Sequence, residues 1–226
     1  MSGTAAERPL SSSVGDYLKA IWVVGGSEPA STKDLAERLS VAPASVTNML
    51  VRLQEMGFAE YERYHGATLT SAGRDEALRL IRRHRLIETL LLEHLSYSWH
   101  EVHVEAERLE HAVSDLFTER LAEFLQHPGQ DPHGDPIPAA DGSMDLTESI
   151  PLSSAAAGDT VRICRVSTED SAALTYLGER RLAPGGWITV EEVRKVDGVT
   201  TVRTESGDSH ALGEALASAV LVEISE

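Results

Sequence analysis

The sequence predicts a mainly α-helical chain that carries a small β part at its C-terminal end. Apolar residues recur at helical spacing through most of the first 127 residues. From about residue 151 the pattern changes to short β-branched runs broken by Gly and Asp. The stretch between them, 128–150, is rich in Pro, Gly and Asp and is typical of loop and linker. Helical segments are therefore expected to be followed by a small β-barrel or sandwich.

The first third of the chain predicts three helices and a hairpin. Residues 12–24 form the first helix, which a glycine pair ends, and a Ser-Thr pair caps the second. Pro43 begins the third helix, which runs to about residue 56. Between residues 58 and 69, polar and apolar residues alternate around a His-Gly turn, which predicts two short strands. This order is the winged helix-turn-helix pattern.

Three further helices are predicted at about 71–96, 99–111 and 113–127. The last carries a wide apolar stripe, which either packs in the core or forms a seam between two copies of the chain. The stripe consists of Val113, Leu116, Phe117, Leu121, Phe124 and Leu125. In the C-terminal part, strands are expected at 160–166, 187–193, 199–203 and 220–224, with one helical turn near 171–178.

Charge is distributed unevenly along the chain. The formal net charge is −16, which argues against binding to nucleic acid by the chain as a whole. Residues 1–75 are nearly balanced, however, and most of the surplus negative charge lies after them. Only the N-terminal third is therefore expected to approach DNA without large repulsion, whereas the acidic remainder suits cations.

Cysteine content and hydropathy limit the kinds of site and the cellular compartment that can be expected. The single cysteine, Cys164, excludes an internal disulfide framework and a thiolate-cluster metal site. No apolar run approaches the roughly 20 residues that span a bilayer, and the N-terminus does not resemble a signal peptide. We therefore expect a cytoplasmic protein that does not act on a membrane.

Four potential metal ligands recur on the helix predicted at 99–111. With His103 at zero on a helical wheel, Glu107 falls at about 40°, Glu110 at about −20° and His111 at about 80°. Like charges at this spacing destabilise a helix unless a cation lies among them. A His and a Glu one turn apart at 84 and 88 add further ligand types. The pattern favours a metal site over a solvated acidic face.

The chain resembles the diphtheria-toxin-repressor family of metal-dependent transcription repressors, most clearly over residues 14–138. The winged helix carries the resemblance, together with His84-Arg-Leu-Ile-Glu88, His103…Glu107-Arg-Leu-Glu110-His111 and the run Asp-Pro-His-Gly-Asp-Pro-Ile-Pro at 131–138. It implies a homodimer of three-domain chains. The domains would be a winged helix-turn-helix DNA-binding domain at 1–75, a helical dimerisation and metal-binding domain at 76–140, a linker at 141–150 and an SH3-like (iron-transport-A-like) β-barrel at 151–226.

The resemblance also implies two metal sites. The primary site would comprise Asp16, Glu107, Glu110 and His111. The iron branch of the family has Met and Cys at the positions of Asp16 and Glu107, so carboxylates here indicate the Mn(II) branch, with Fe(II), Co(II) or other divalent ions as substitutes. Lys19 stands where some manganese regulators have a Glu that supports a paired-metal site, so that pairing is not expected.

The resemblance implies that the ancillary site would comprise His84, Glu88 and His103. Asp131 and His133 would be added from the loop after the third helix of the dimerisation domain, and Glu169 or Asp170 from the third domain.

The third helix is the expected recognition helix. Small residues at its start allow close approach to DNA, and Asn48 is best able to read adenine through two hydrogen bonds. For Arg52 a phosphate contact and a surface ion pair with Glu55 or Glu37 are both open. The full set of expected DNA contacts is Thr32, Lys33, Pro43, Ala44, Ser45, Thr47, Asn48, Arg52, Tyr64 and His65.

The expected function is that of a manganese-dependent, dimeric repressor that binds palindromic, double-stranded operator DNA and controls metal uptake, with no enzymatic activity and no small-molecule substrate. Three alternatives remain at this point. One is an iron-dependent repressor of the same family, and another is a winged-helix regulator that senses a small organic ligand. The third is a carboxylate-bridged metalloenzyme, which needs a second Glu/His helix motif that the sequence does not offer.

Overall fold

The computed structural model describes residues 10–26, 28–145 and 148–224. These described residues divide into two compact units, one within 1–82 with 140–142 and the other within 83–139 with 143–226. None of the helices in these residues combines the length and the hydropathy that a membrane span requires. Each unit is described in turn.

The N-terminal unit is the predicted winged helix. It contains α1 (Ser12–Gly25), α2 (Thr32–Arg38), α3 (Pro43–Glu55), the antiparallel pair β1 (Ala59–Glu62) and β2 (Gly66–Leu69), and the first part of α4 (Ser71–Leu95). The Ser31 side chain caps α2 by accepting a hydrogen bond from the Asp34 amide (3.1 Å). Leu18, Leu35 and Leu50 are fully buried in the core.

Gly66 is required by a close approach within this unit. Ala30 pairs with Ala67 next to it, and a Cβ on Gly66 would lie 2.5 Å from the Ala30 carbonyl oxygen. The residue also has φ of +108°. This contact ties the hairpin to the segment that precedes α2.

The helical part of the second unit contains the rest of α4, α5 (Val102–Leu109) and α6 (Asp115–Phe124). Leu86, Leu91, Val102 and Ala106 lie in its core. Both α5 and α6 are shorter than predicted. Glu101 accepts the amide hydrogen of Ser98 (2.9 Å) in a local turn that delays α5. Ser114 caps α6, and Gln126 and His127 end it with positive φ.

The C-terminal part is a six-stranded antiparallel sheet with two short helices. The elements are β3 (Ile150–Pro151), β4 (Thr160–Val166), α7 (Ser171–Glu179), β5 (Trp187–Arg194), β6 (Val199–Thr204), β7 (Ser209–Gly213), α8 (Glu214–Ala219) and β8 (Val220–Ile224). The strand order is β3-β8-β4-β5-β6-β7, and the core of this part includes Leu152, Leu174, Leu177 and Leu212.

Three of these elements are absent from the sequence prediction: β3, β7 and α8. β3 has only two residues, and β7 has one fully buried side chain, Leu212, so neither carries a readable alternation. β7 forms because it pairs along β6, from Val199 with Gly213 to Arg203 with Ser209. The other strands and α7 agree with prediction to within one residue.

Candidate metal centre and DNA-reading surface

Two helices of the second unit bring together three metal-ligand side chains. His84 and Glu88 lie one turn apart on α4, and His103 lies on the first turn of α5. His84 Nε2 is 2.9 Å from Glu88 Oε1 and 3.0 Å from His103 Nδ1, which is itself 3.0 Å from Glu88 Oε1. His84 and Glu88 are buried, and His103 is half-buried. The predicted ancillary residues of these two helices therefore form one compact cluster.

The loop after α6 adds two ligands on the other side of the same carboxylate. His133 Nδ1 is 3.8 Å from Glu88 Oε2, and Glu88, Asp131 and His133 present ligand atoms within 4.8 Å of one another. Trp99 stacks on the His133 ring, with centroids 5.4 Å apart, and donates its indole hydrogen to the Pro132 carbonyl (3.0 Å). Glu88 is thus shared, because one oxygen faces His84 and His103 and the other faces His133.

The cluster shifts the ionisation of its members. Burial alone raises the pKa of Glu88, but the charge of His84 and hydrogen bonds from the three histidines hold it well below its usual range. Burial, with the neighbouring carboxylates of Glu88 and Asp135, raises the pKa of Asp131 to about 7, against the opposing charges of Arg85 and His133. Burial lowers the pKa of His133, but its hydrogen bond to Glu88 and the nearby carboxylate charges raise it overall.

His84 also contacts a residue of the predicted primary site. Its Nδ1 lies 2.6 Å from Glu110 Oε2, and the other Glu110 oxygen lies 3.3 Å from His111 Nε2. Glu110 is fully buried at the end of α5, where its amide still bonds to the Ala106 carbonyl. If Nε2 of His84 binds a metal, Nδ1 carries the hydrogen and must donate it to Glu110. The His84 ring therefore links the two predicted ligand sets.

The remaining candidates of this unit lie around His103. Its Nε2 is 3.7 Å from Glu107 Oε1 and 3.9 Å from Glu169 Oε1, and both carboxylates are mostly exposed. Asp170, by contrast, caps α7 by accepting the Ala172 amide hydrogen (2.9 Å). Of the two third-domain candidates, Glu169 is the one that reaches the cluster.

The donor set fits a divalent transition metal. Ligands bound at about 2.1 Å from such an ion lie about 3–4 Å apart, and the donor atoms around Glu88 are separated by 2.9, 3.0 and 3.8 Å. All donors are imidazole nitrogen or carboxylate oxygen, since Cys164 faces the Arg162 carbonyl on β4 instead. Nitrogen and oxygen ligands without thiolate suit Mn(II), Fe(II) or Co(II). Asp16, the remaining primary candidate, lies on α1 of the other unit.

Arg85, which the sequence reasoning did not single out, holds the ligand loop. Its guanidinium lies 3.6 Å from Asp131 and 3.3 Å from Asp135, and it donates to the Pro136 carbonyl. Its position next to His84 was the only sequence signal, and periodicity alone gives a charged helix residue no such role.

The predicted recognition helix, α3, exposes most of the DNA contacts expected on it. Pro43, Ala44, Ser45 and Asn48 are exposed, whereas Val46 and Leu50 turn into the core. The Thr47 hydroxyl bonds back to the Pro43 carbonyl (3.2 Å). This arrangement leaves one face of α3 with small side chains and one amide that can read a base.

The predicted phosphate contacts have different surroundings. Arg52 is exposed and has no ion-pair partner among residues 10–26, 28–145 and 148–224, which argues against the surface-pair alternative. Lys33, in contrast, lies 3.8 Å from Glu37.

At the tip of the hairpin, Tyr64 is 89% exposed and has φ of +71°. The guanidinium of Arg63, a second residue that the sequence reasoning missed, lies 5.0 Å from the centroid of the Tyr64 ring. His65 lies 3.8 Å from Glu62, and Thr32 begins α2.

The apolar stripe of α6 divides into two parts. Leu121 and Leu125 are buried in the helical core, whereas Leu116 and Phe124 are 67% and 60% exposed. Phe117, seven residues before Phe124 and on the same helix face, is also exposed. Core packing and an uncovered apolar surface therefore both occur on one helix.

Three family models match the chain. They are "Iron dependent repressor, N-terminal DNA binding domain" at residues 9–67, "Iron dependent repressor, metal binding and dimerisation domain" at residues 70–139, and "FeoA domain" at residues 150–224. Together they follow the order of the winged helix, the helical part and the sheet.

Individual relatives agree with these matches. The iron-dependent repressor IdeR of Mycobacterium tuberculosis is 30% identical over 92% of this chain and 95% of its own length. The regulator MntR of Lysinibacillus sphaericus is 34% identical over 50% of this chain and 82% of its own length. A solved structure described as a manganese-dependent transcriptional repressor in complex with manganese matches with a TM-score of 0.88 and 38% identity, over 94% of this chain and all of that chain.

Proposed function

Because the chain belongs to the iron-dependent repressor family of metal-dependent transcription regulators, we propose that it is a manganese-dependent repressor of operator DNA. Members of this family are regulators rather than enzymes. The observation that carries the proposal is the buried cluster of imidazoles and carboxylates around Glu88, which lacks thiolate. The manganese-dependent relative described above supports the choice of ion. We place this activity in the cytoplasm, where the operator would be, and in the control of metal uptake.

The ancillary ion would be held by His84, Glu88 and His103, with Asp131 and His133 opposite and Glu169 closing the site. When bound, the ion supplies positive charge to a region where several carboxylates lie within a few ångströms. Arg85 and Trp99 keep the loop ligands in place through Asp131, Asp135 and the Pro132 carbonyl. Arg85 and Trp99 would therefore orient the ligands before the ion binds.

The primary ion would be held by Glu107, Glu110 and His111, with Asp16 as the ligand from α1. A ligand taken from the first helix of the winged helix would let the ion fix the orientation of the DNA-binding domain. This part of the proposal rests on the family resemblance. His84 would couple the two ions, since its ring contacts Glu88 with one nitrogen and Glu110 with the other.

Operator recognition would use the exposed face of α3 in a major groove. Asn48 would read a base, and Arg52, Lys33, Thr32 and the hairpin tip would contact phosphates. Two recognition helices are needed for a palindromic operator, so the chain would act as a homodimer. The exposed Leu116, Phe117 and Phe124 of α6 supply apolar surface for that pairing. We propose domain limits of 1–75, 76–140 and 151–226, with 141–150 as linker.

Gel-shift titration of the full chain on a palindromic candidate operator tests the proposal. Mn(II) should produce a specific complex, and a chelator should remove it. Equal operator affinity in Mn(II) and in chelator would contradict a metal-dependent repressor. Mn(II) and Fe(II) differ little in ligand preference, so the donor set alone does not choose between a manganese-dependent and an iron-dependent repressor. Parallel titrations with Fe(II) and Co(II) make that choice.

A further inference from the structure

The loop that carries Asp131 and His133 is a braced turn at residues 131–136, called here the ligand turn. One oxygen of Asp131 accepts the amide hydrogens of His133 (2.8 Å) and Asp135 (3.0 Å). The Gly134 amide donates to the Asp131 carbonyl, and the Asp131 amide donates to the Asp135 carbonyl (2.9 Å). The ligand turn therefore moves as one piece, and its two metal-ligand side chains move with its backbone.

One side of the ligand turn is held by the helical part of the unit. Arg85 contacts Asp131 and Asp135, and the Trp99 indole donates to the Pro132 carbonyl. His133 Nε2 lies 3.3 Å from the Trp99 carbonyl oxygen. These contacts fix the turn next to Glu88.

The other side of the ligand turn lies against β4 of the sheet. The Val166 amide donates to the His133 carbonyl (2.8 Å), and Arg165 lies 3.5 Å from Asp135. Gly134, with φ of +84°, meets the β4 backbone so closely that a Cβ would lie 2.0 Å from the Cys164 carbonyl oxygen. Cys164 sits at the irregularity of β4 between Ile163 and Arg165, where the register of the pairing with β8 shifts. No side chain fits at position 134 while the two backbones stay in contact.

From this contact we infer that Gly134 and the bulge of β4 form a docking joint that tightens the metal centre although the joint itself donates no ligand. The inference rests on the proposed function, since it takes Asp131 and His133 as ligands. Docking holds the ligand turn in its binding position, so docking and metal binding must strengthen each other. Gly134 would thus be a positioning residue. This effect of docking on metal affinity is separate from that of Glu169, which would act as a ligand itself.

The test compares full-length variants that alter no ligand. Gly134→Ala adds a Cβ at the joint, and Gly134→Asn adds one with a residue that tolerates positive φ. Gly129→Ala is the matched control, because it changes a glycine just before the ligand turn where a Cβ meets nothing within 4 Å. Arg165→Ala is a milder variant that removes the ion pair to Asp135. The readouts are hydrogen exchange of the Val166 amide without metal and calorimetric titration with Mn(II).

Both Gly134 variants should exchange the Val166 amide at least about tenfold faster in the metal-free protein, and should bind the ancillary Mn(II) about tenfold more weakly, as outer-shell changes do. Arg165→Ala should weaken binding about threefold. Amides of β5 and β6 should keep their protection, which shows that the sheet itself is intact. If Gly134→Ala and Arg165→Ala both bind Mn(II) as tightly as Gly129→Ala, the joint does not exist. Absence of Mn(II) binding by the parent chain would instead overturn the proposed function.

Discussion

The metal centre and the DNA-reading surface are built in opposite ways. The predicted DNA contacts are mostly exposed, and most of them lie on the single helix α3. The predicted metal ligands are largely buried and come from three separate segments, α4, α5 and the ligand turn. His84 and His133, for example, are far apart in the sequence. Side chains of an exposed helix act nearly independently, whereas a buried cluster shares its hydrogen bonds. Substitutions should therefore be graded on α3 and close to all-or-none around Glu88.

The largest effect is expected at the shared carboxylate. Glu88→Gln keeps the size of the side chain but removes the charge that faces His84, His103 and His133. Mn(II) affinity of the ancillary site should fall by more than about 100-fold, beyond the range of outer-shell changes. Calorimetric titration measures this fall, with Glu93→Gln, at a mostly exposed position of the same helix, as control. An affinity within threefold of the control would mean that Glu88 is not a ligand.

A pair of substitutions at His84 sharpens the description of the metal centre as a network. An Asn amide nitrogen can occupy the place of Nδ1 and donate to Glu110, whereas a Gln amide nitrogen replaces Nε2 and cannot. Both variants should lose the ancillary ion. Only His84→Gln should also weaken the other site, by about tenfold. Electron paramagnetic resonance of bound Mn(II) counts the two sites, and equal behaviour of the two variants would exclude coupling through Glu110.

On α3 the expected effects are smaller and separable. Asn48→Ala should cost about 1–3 kcal/mol of specific binding and spare nonspecific binding, because one base contact is lost. Arg52→Ala should weaken both and reduce the salt slope by about one unit, because one phosphate contact is lost. Fluorescence anisotropy with operator and scrambled duplexes at several salt concentrations measures both. Uniform weakening by Asn48→Ala on the two duplexes would contradict direct reading of a base.

The smallest expected effect concerns pH. The pKa of Asp131 is raised to about 7 and that of His133 is also raised, so both hold protons in mildly acidic solution. Mn(II) must displace these protons, so its affinity should fall as the pH is lowered through 7, by about tenfold per pH unit for each proton displaced. Titration between pH 6 and pH 8 measures the slope. Asp131→Asn should reduce the slope, and a slope of zero in the parent chain would place Mn(II) away from these groups.

The difference between the two regions also explains what could be predicted from the sequence. The capping serine, Pro43 and the alternation at 58–69 are local signals, so the winged helix followed from them. On α5 the wheel placed Glu107 and Glu110 on one face, but it could not show that Glu107 is exposed and Glu110 fully buried, because the neighbouring helix decides that. The same holds for Arg85 and Gly134, whose contacts lie about 50 and 30 positions away in the chain.

The reciprocal coupling of metal and operator tests the account most directly. Mn(II) affinity of the full chain can be measured by calorimetry alone, with operator duplex and with a scrambled duplex of the same length. A metal that orders the chain for DNA must be bound more tightly when operator is present, by about 5–150-fold, since coupling free energies are typically about 1–3 kcal/mol. The scrambled duplex should give a much smaller change. Identical Mn(II) affinity in all three titrations would contradict the account, because the ion would then have no influence on DNA binding.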